Sequence, residues 1–361
     1  MTEAFDARGT IGVEEEFYAV DPDTLLPVDE ADELLRDPPA ELDGKLGTEL
    51  FPWVVETRTE RCESLGAAFD DLERKRGALL DHARSHGYDV LAAGLHPTAE
   101  WTAHEHVDKP RYHDQLDRIR YPQHRNITAG LHVHVGMDDP DLAVRVADGV
   151  RRYLPLFLAL SANSPYWYGR DTGLASARAV VFENLPTTGI PTAFGDWATY
   201  RRFEDRLVAD GTVADRGEIW WDVRPNRQHG TVEVRAPDAQ TRLDRARGFV
   251  ALIHDVVTAL AERYEAGMEP PRDRRELLDQ NKWRAVRHGR DATFVDLAAD
   301  AGTLGVDAML DRLLDDVEAP HRGRVEPLRG RTGAERQRDA ASDGPHSEAR
   351  RPVLEALRVD G

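Results

Sequence analysis

Cysteine is almost absent: Cys62 is the only one in 361 residues, which excludes an internal disulfide framework and any thiolate cluster for zinc or iron and sulfur. Any metal in this chain takes oxygen and nitrogen ligands. Long apolar runs are also missing. No stretch approaches the length that crosses a bilayer, and the N-terminal MTEAFDARGT has neither the basic start nor the apolar middle of a signal peptide, so a cytoplasmic location is expected. Lysine occurs only at Lys45, Lys75, Lys109 and Lys282; the rest of the 47 basic residues are arginine, and the formal net charge is -19. That charge argues against nucleic acid and anionic membranes as partners, because phosphate neutralisation drives both associations. Two explanations of the composition stay open. A salt-accumulating halophile screens such self-repulsion, whereas a high-GC genome accounts for the arginine but not for the net charge.

The familiar phosphate-binding and hydrolytic motifs are missing as well: GxxxxGK[ST], a strand-GxGxxG-helix unit, HExxH and GxSxG. A nucleotide, if bound, is held by metal ions and arginines. What is present is alternation. Thr10 to Val20, Trp53 to Arg58, Asp89 to Gly94, Gly130 to Met137, Glu218 to Arg224 and Thr231 to Arg235 read as strands with one polar parity. Helical periodicity covers Ser64 to His86, with Ser64 as N-cap and Gly87 as stop, then Asp141 to Leu160 and Thr241 to Tyr264. Strands and helices do not alternate strictly, so the class is α+β, an antiparallel sheet with helices on one side, in a single catalytic domain spanning residues 1–361. The stretch from Arg322 to Gly344 reads as a mobile loop, and Ser347 to Leu357 regains a helical pattern.

Chemistry concentrates on the polar parity. In GLHVHVG, His132 and His134 share a face while Leu131, Val133 and Val135 point into a core, with Gly130 and Gly136 leaving room for close approach. Either the imidazoles ligate something or they hydrogen-bond to neighbouring strands. In GVEEEF, Glu14 and Glu16 share a face, which suits Mg²⁺ or Mn²⁺ shared with phosphates, or simply a solvated edge strand; Glu15 fits neither face. Trp220, Asp222 and Arg224 share a parity, as do Thr231, Glu233 and Arg235, and the two segments can meet as a hairpin through Arg227 to His229. An ion pair between Glu233 and Arg235 is the plain alternative to a site. Glu183 to Trp197 is either a cover over a site or a surface connection.

In chain order, GVEEEF, VVETRT, GLHVHVG, the SAR of Ser176 to Arg178, WWDVRPN with GTVEVR, and NKWRA at Asn281 to Ala285 resemble the carboxylate-amine ligases of the glutamate-cysteine ligase type 2 family, with its glutamine-synthetase-like fold. The resemblance runs from Gly12 to Arg338, and the composition is similar to that of the haloarchaeal members. It implies an antiparallel sheet with helices on one face and the active site on the other. It implies metal ligands at Glu14, Glu16, Glu56, His132 and Glu233, and a further one at Glu49, where related ligases often have Asp. It implies that Arg178 and Arg235, joined by Arg224, face phosphate and substrate carboxylate. The cofactors implied are ATP and Mg²⁺ (or Mn²⁺), the substrates L-glutamate and L-cysteine, and the product γ-glutamylcysteine, made through an acyl phosphate. A homodimer is the oligomeric state to test. The rival readings are a ligase for another amine, a metal-dependent hydrolase in a (β/α)₈ barrel, and a nucleotide or metal sensor without turnover.

Overall fold

Ten alternating residues, Ile11–Val20, form the strand on which the main sheet is built (β1). The computed structural model describes residues 4–299, 301–341 and 351–360. Strands β2 (Leu46–Thr48), β3 (Val54–Arg58), β4 (Asp89–Leu91) and β5 (Leu131–Gly136) follow. A separate hairpin, β6 (Tyr166–Trp167) and β7 (Arg170–Asp171), precedes β8 (Val223–Asn226) and β9 (Thr231–Val234), which return to the main sheet. That sheet has seven strands in the order β2-β3-β1-β5-β9-β8, with β4 beside β1, and every pair is antiparallel. The fold is α+β, and a barrel of alternating parallel strands and helices is ruled out, which removes the scaffold of the hydrolase reading.

One face of the sheet is apolar because the strand period of two places Ile11, Val13, Leu131, Val133, Val135, Val232 and Val234 together. Phe249, Leu252, Ile253 and Val256 of the helix Leu243–Glu265 join that cluster, as do residues of the helices Leu65–Ser85, Pro140–Val150 and Leu154–Ser161. Ser64 caps the first of these by accepting from the Ala67 N–H, and Gly87 lies just past its end at φ 81°. Glu15 now has its explanation. It points into the helix layer, where Arg76 meets it at 2.5 and 3.1 Å and donates its other protons to the carbonyls of Gln240 and Thr241. Among the described residues no helix is long and apolar enough to cross a membrane.

Three expectations are corrected. The helix read over Asp141 to Leu160 is two helices joined by a 3-10 turn at Arg151–Tyr153, the second carrying Pro155 in its first turn, where a missing N–H is harmless. The strand read over Glu218 to Arg224 begins only at Val223. Glu218 instead closes a turn, accepting from the Ala214 N–H at 2.9 Å and from Arg118 at 2.7 Å. The mobile loop read over Arg322 to Gly344 is ordered where described: Arg322–Val325 and Gly333–Ala340 are helical, the latter started by a Thr332–Glu335 capping box. Residues 342–344 lie outside the described residues. So do 347–350 of the final helical pattern, of which Arg351–Glu355 is helical.

Candidate active site

Register brings the polar parities of separate strands into rows. Glu16 of β1 stands opposite Glu56 of β3, Glu14 opposite His132 of β5, and Glu233 of β9 lies between His134 of β5 and Arg224 of β8. His132 Nδ1 is 3.1 Å from Glu14 Oε2, and His134 Nε2 is 3.6 Å from Glu14 Oε1. Glu49 reaches the group from the turn that leads into β3. Glu14, Glu16, Glu49, Glu56, His132, Arg178, Arg224 and Arg235 all line one cavity of about 200 Å³. Glu49 and Glu56 also line an adjoining hollow, about 590 Å³, edged by Arg36, Arg58 and Lys109.

Glu233 is the expected residue outside that lining, and its oxygens are occupied. Oε1 accepts from Arg235 at 2.6 Å, and Oε2 accepts from Arg224 at 2.7 Å and from Asn226 at 2.8 Å. Burial pushes its carboxyl up, but Arg224, His134 and Arg235 outweigh that and hold it well below the usual range. In this arrangement Glu233 aims two arginines. It still stands in a group with Glu14 and His134 whose ligand atoms lie within 4.8 Å of one another, and His134 Nε2 is buried without a hydrogen-bond partner.

The third arginine comes from the short helix Ala177–Phe182. Arg178 donates to the carbonyls of Ala236 at 3.1 Å and Arg235 at 3.2 Å, with Asp238 at 3.8 Å behind it. The Nε atoms of Arg178 and Arg235 are buried without an acceptor. A buried unmatched donor is costly, and both guanidinium groups line the cavity, where a phosphate or carboxylate oxygen would be matched by charge.

The carboxylates are out of balance. Burial pushes Glu16 up to about 8, with the charge of Glu49 adding to it and Arg178 and Arg235 opposing. Burial also raises Glu49, and it raises Glu56 well above the ordinary range together with the charges of Glu14, Glu49 and Glu16. Glu14 goes the other way: burial raises it, yet the hydrogen bond with His132 and the imidazole of His134 at 3.6 Å hold it well below. His132 is lowered to about 4 by burial and by Arg235, which leaves a neutral imidazole. Crowded carboxylates that resist ionisation beside a neutral imidazole fit a hard divalent cation, which relieves both the repulsion and the desolvation.

With this geometry in view, the comparisons decide the family. The model of glutamate-cysteine ligase family 2 matches residues 10–352. The chain belongs to that family. It is 57% identical over 295 residues to a glutamate–cysteine ligase of Haloferax volcanii, covering 81% of this chain and 82% of the relative. A glutamate–cysteine ligase of Halobacterium salinarum is 53% identical over 320 residues, covering 86% and 88%. Among solved structures, the glutamate–cysteine ligase of Francisella tularensis in complex with AMP superposes with TM-score 0.69 at 13% identity, covering 98% of this chain and 88% of that one; the likeness is one of fold.

Sequence reasoning missed the wall facing the sheet. Arg111, Tyr112 and Gln115 of the helix Pro110–Ile119, with Gln123, Asn126 and Thr128, close the cavity from above. Gln115 donates to Glu218 at 3.0 Å and accepts from Gln123 at 2.9 Å, so the wall is tied to the turn beside Trp220. The segment Glu183 to Trp197 does not line the cavity. It is pinned beside it, with Gly189 O accepting from the Asp222 N–H at 3.0 Å and Asp148 accepting from the Phe194 and Gly195 N–H groups.

Proposed function

We propose that this chain joins the side-chain carboxylate of L-glutamate to the amine of L-cysteine with consumption of ATP, giving γ-glutamylcysteine, ADP and phosphate. It is a carbon–nitrogen ligase of glutamate-cysteine ligase family 2. The observation that carries the residue-level reading is convergence: acidic, imidazole and arginine groups scattered from Glu14 to Arg235 line a single cavity.

Glu14, Glu16, Glu49, Glu56 and His132, with His134 and Glu233 as a second group, are the residues that would hold Mg²⁺ or Mn²⁺, which when bound offsets charge on the ATP oxygens. The chain's own groups do the rest. Arg178 and Arg235 line the cavity, where the transferring phosphoryl group and the glutamate carboxylate carry their charge. Glu233 holds Arg224 and Arg235 in place, so the donors are aimed before substrate arrives. The glutamate side chain attacks the γ-phosphate, an acyl phosphate forms, and the amine displaces phosphate. No protein nucleophile is required, in keeping with Cys62, whose thiol burial pushes up to about 11. The wall from Arg111 to Thr128 keeps water from the acyl phosphate.

One catalytic unit carries this chemistry, in the cytoplasm of a halophile, in keeping with haloarchaeal relatives and a formal net charge of -19. ADP release is to be followed with glutamate and a panel of amines. Cysteine is expected to stimulate release above every other amine. No stimulation by cysteine overturns the substrate, and no ADP release with any amine overturns the ligase reading.

A further inference from the structure

On the helix-layer side of the sheet, three side chains that the ligase chemistry does not use meet near the end of the chain. His254 and Asp255 lie on the helix Leu243–Glu265, and His321 immediately precedes the helical turn Arg322–Val325. His321 Nδ1 is 2.6 Å from Asp255 Oδ1, and the His321 N–H donates to Asp255 Oδ2 at 3.0 Å. His254 Nδ1 stands 3.7 Å from Asp255 Oδ1, and the ligand atoms of the three residues lie within 4.8 Å of one another.

His254 is the informative member. Its Nε2 is 3.3 Å from the carbonyl of Gly9, an acceptor only, so Nε2 carries a proton, and in the neutral ring Nδ1 presents a lone pair. That Nδ1 is buried without a hydrogen-bond partner and faces a carboxylate oxygen, acceptor against acceptor. Something cationic between them satisfies both. Metal-bound imidazoles commonly donate their second N–H to a backbone carbonyl, as His254 does to Gly9.

We propose that His254, Asp255 and His321 form a divalent-metal site for a borderline cation, Zn²⁺ first and Co²⁺ or Ni²⁺ by the same chemistry, separate from the ligase cavity. Two imidazoles select against Mg²⁺ and Ca²⁺, which take oxygen. Zinc bonds of about 2.0–2.1 Å arranged tetrahedrally place ligand atoms about 3.3 Å apart. The His254–Asp255 separation of 3.7 Å closes slightly and the His321–Asp255 separation of 2.6 Å opens as its bridging proton leaves. Asp255 is fully buried and His321 half-exposed, so the fourth position faces solvent. The metal braces three distant parts of the chain: the lead into β1 at Gly9, the long helix, and the segment entering the C-terminal helices.

The test uses the full-length chain with Zn²⁺ and Co²⁺ in excess Mg²⁺. Because Glu14, His134 and Glu233 are a second group of suitable ligands, it is run in both the unaltered chain and Glu14→Gln. Zinc uptake and a visible Co²⁺ absorption band are expected in both, with affinity falling more than about 100-fold on adding His321→Ala or Asp255→Asn, beyond what outer-shell changes cost. A second readout needs no substitution in the site: zinc is expected to protect half-exposed His321 of the unaltered chain from diethylpyrocarbonate, read by peptide mass spectrometry. Zinc uptake that disappears with Glu14→Gln, uptake indifferent to His321→Ala, or His321 modified equally with and without zinc each overturns the proposal. In any of these cases a proton shared by His254 and Asp255 fills the gap instead.

Discussion

Gly130→Ala tests the aim of Arg178 without touching a charge. Gly130 leads into β5, donates its N–H to Glu16 Oε2 at 2.6 Å and accepts from the Glu16 N–H at 3.1 Å. An added Cβ lies 2.4 Å from Arg178 Nη2 and 3.0 Å from His132 Nε2, where ordinary contact begins at 3.4 Å. The guanidinium therefore retreats by about 1 Å, a shift that at a reacting centre costs about 100-fold in rate. That is about 2.7 kcal/mol of transition-state stabilisation. The obstacle is the free end of a long side chain, so the fold absorbs the methyl group for about 1–3 kcal/mol. ADP release and thermal unfolding are measured on Gly130→Ala, Arg178→Ala and the double variant. If the methyl group acts through Arg178, it has little left to remove once that guanidinium is gone, and the two losses are far from additive. A kcat for Gly130→Ala within about threefold of the unaltered chain, or equal losses with and without Arg178, refutes the reasoning.

Arg76→Met leaves Glu15 buried and unpaired; unfolding is expected to show a loss of about 3–5 kcal/mol, largely recovered by adding Glu15→Met, and no recovery would show that the pair is not the cause. Glu56→Gln removes one crowded carboxylate, so the Mg²⁺ concentration for half-maximal ADP release is expected to rise about tenfold or more, and chelation should abolish release until Mg²⁺ is restored. Burial pushes Glu204 up to about 7 from 4.5, so the folded chain keeps a proton that the unfolded chain has released. Its stabilising effect is complete below pH 4.5 and lost as pH rises through 7. Glu204→Gln should remove that decline, at most about 3 kcal/mol in urea titrations across the window; an unchanged slope removes Glu204 as its source.

Much of the site was legible because a strand has period two: the shared faces of Glu14 with Glu16 and of His132 with His134 follow from spacing alone. Which strands lie side by side does not. The pairing of Glu16 with Glu56 and of His134 with Glu233 joins residues 40 and about 100 positions apart, and only the folded sheet sets that register. Arg178 sits on a six-residue helix with no periodicity of its own, so its place beside Arg235 was legible only through resemblance. The wall was not legible at all. Gln115 is buried because Glu218, 103 residues away, accepts its proton, and no local pattern marks a glutamine for that role. The C-terminal misreading differs in kind, since the Thr332–Glu335 capping signature was present and outweighed by Arg, Gly and Asp around it.

The strand order also arranges charge. β3 and β1 carry Glu56, Glu14 and Glu16 with Glu49 beside them, while β8 carries Arg224 and Arg235 directly follows β9, with Arg178 alongside. Between them β5 offers a neutral His132. Because Glu233 takes up part of the arginine charge within its own half, the cavity is cationic but not uncompensated at one end, and at the other it is rich in carboxyl groups whose crowding favours a bound cation. A uniformly mixed cavity would attract a divalent cation and a polyphosphate anion equally poorly, whereas this polarity would give the proposed cation and anion adjoining ends, in low dielectric where the interactions are strong. Exchanging the ends, with Glu56→Arg and Arg224→Glu together, keeps the net charge yet removes the match between each ligand and its strand, so activity should not return even though composition is conserved.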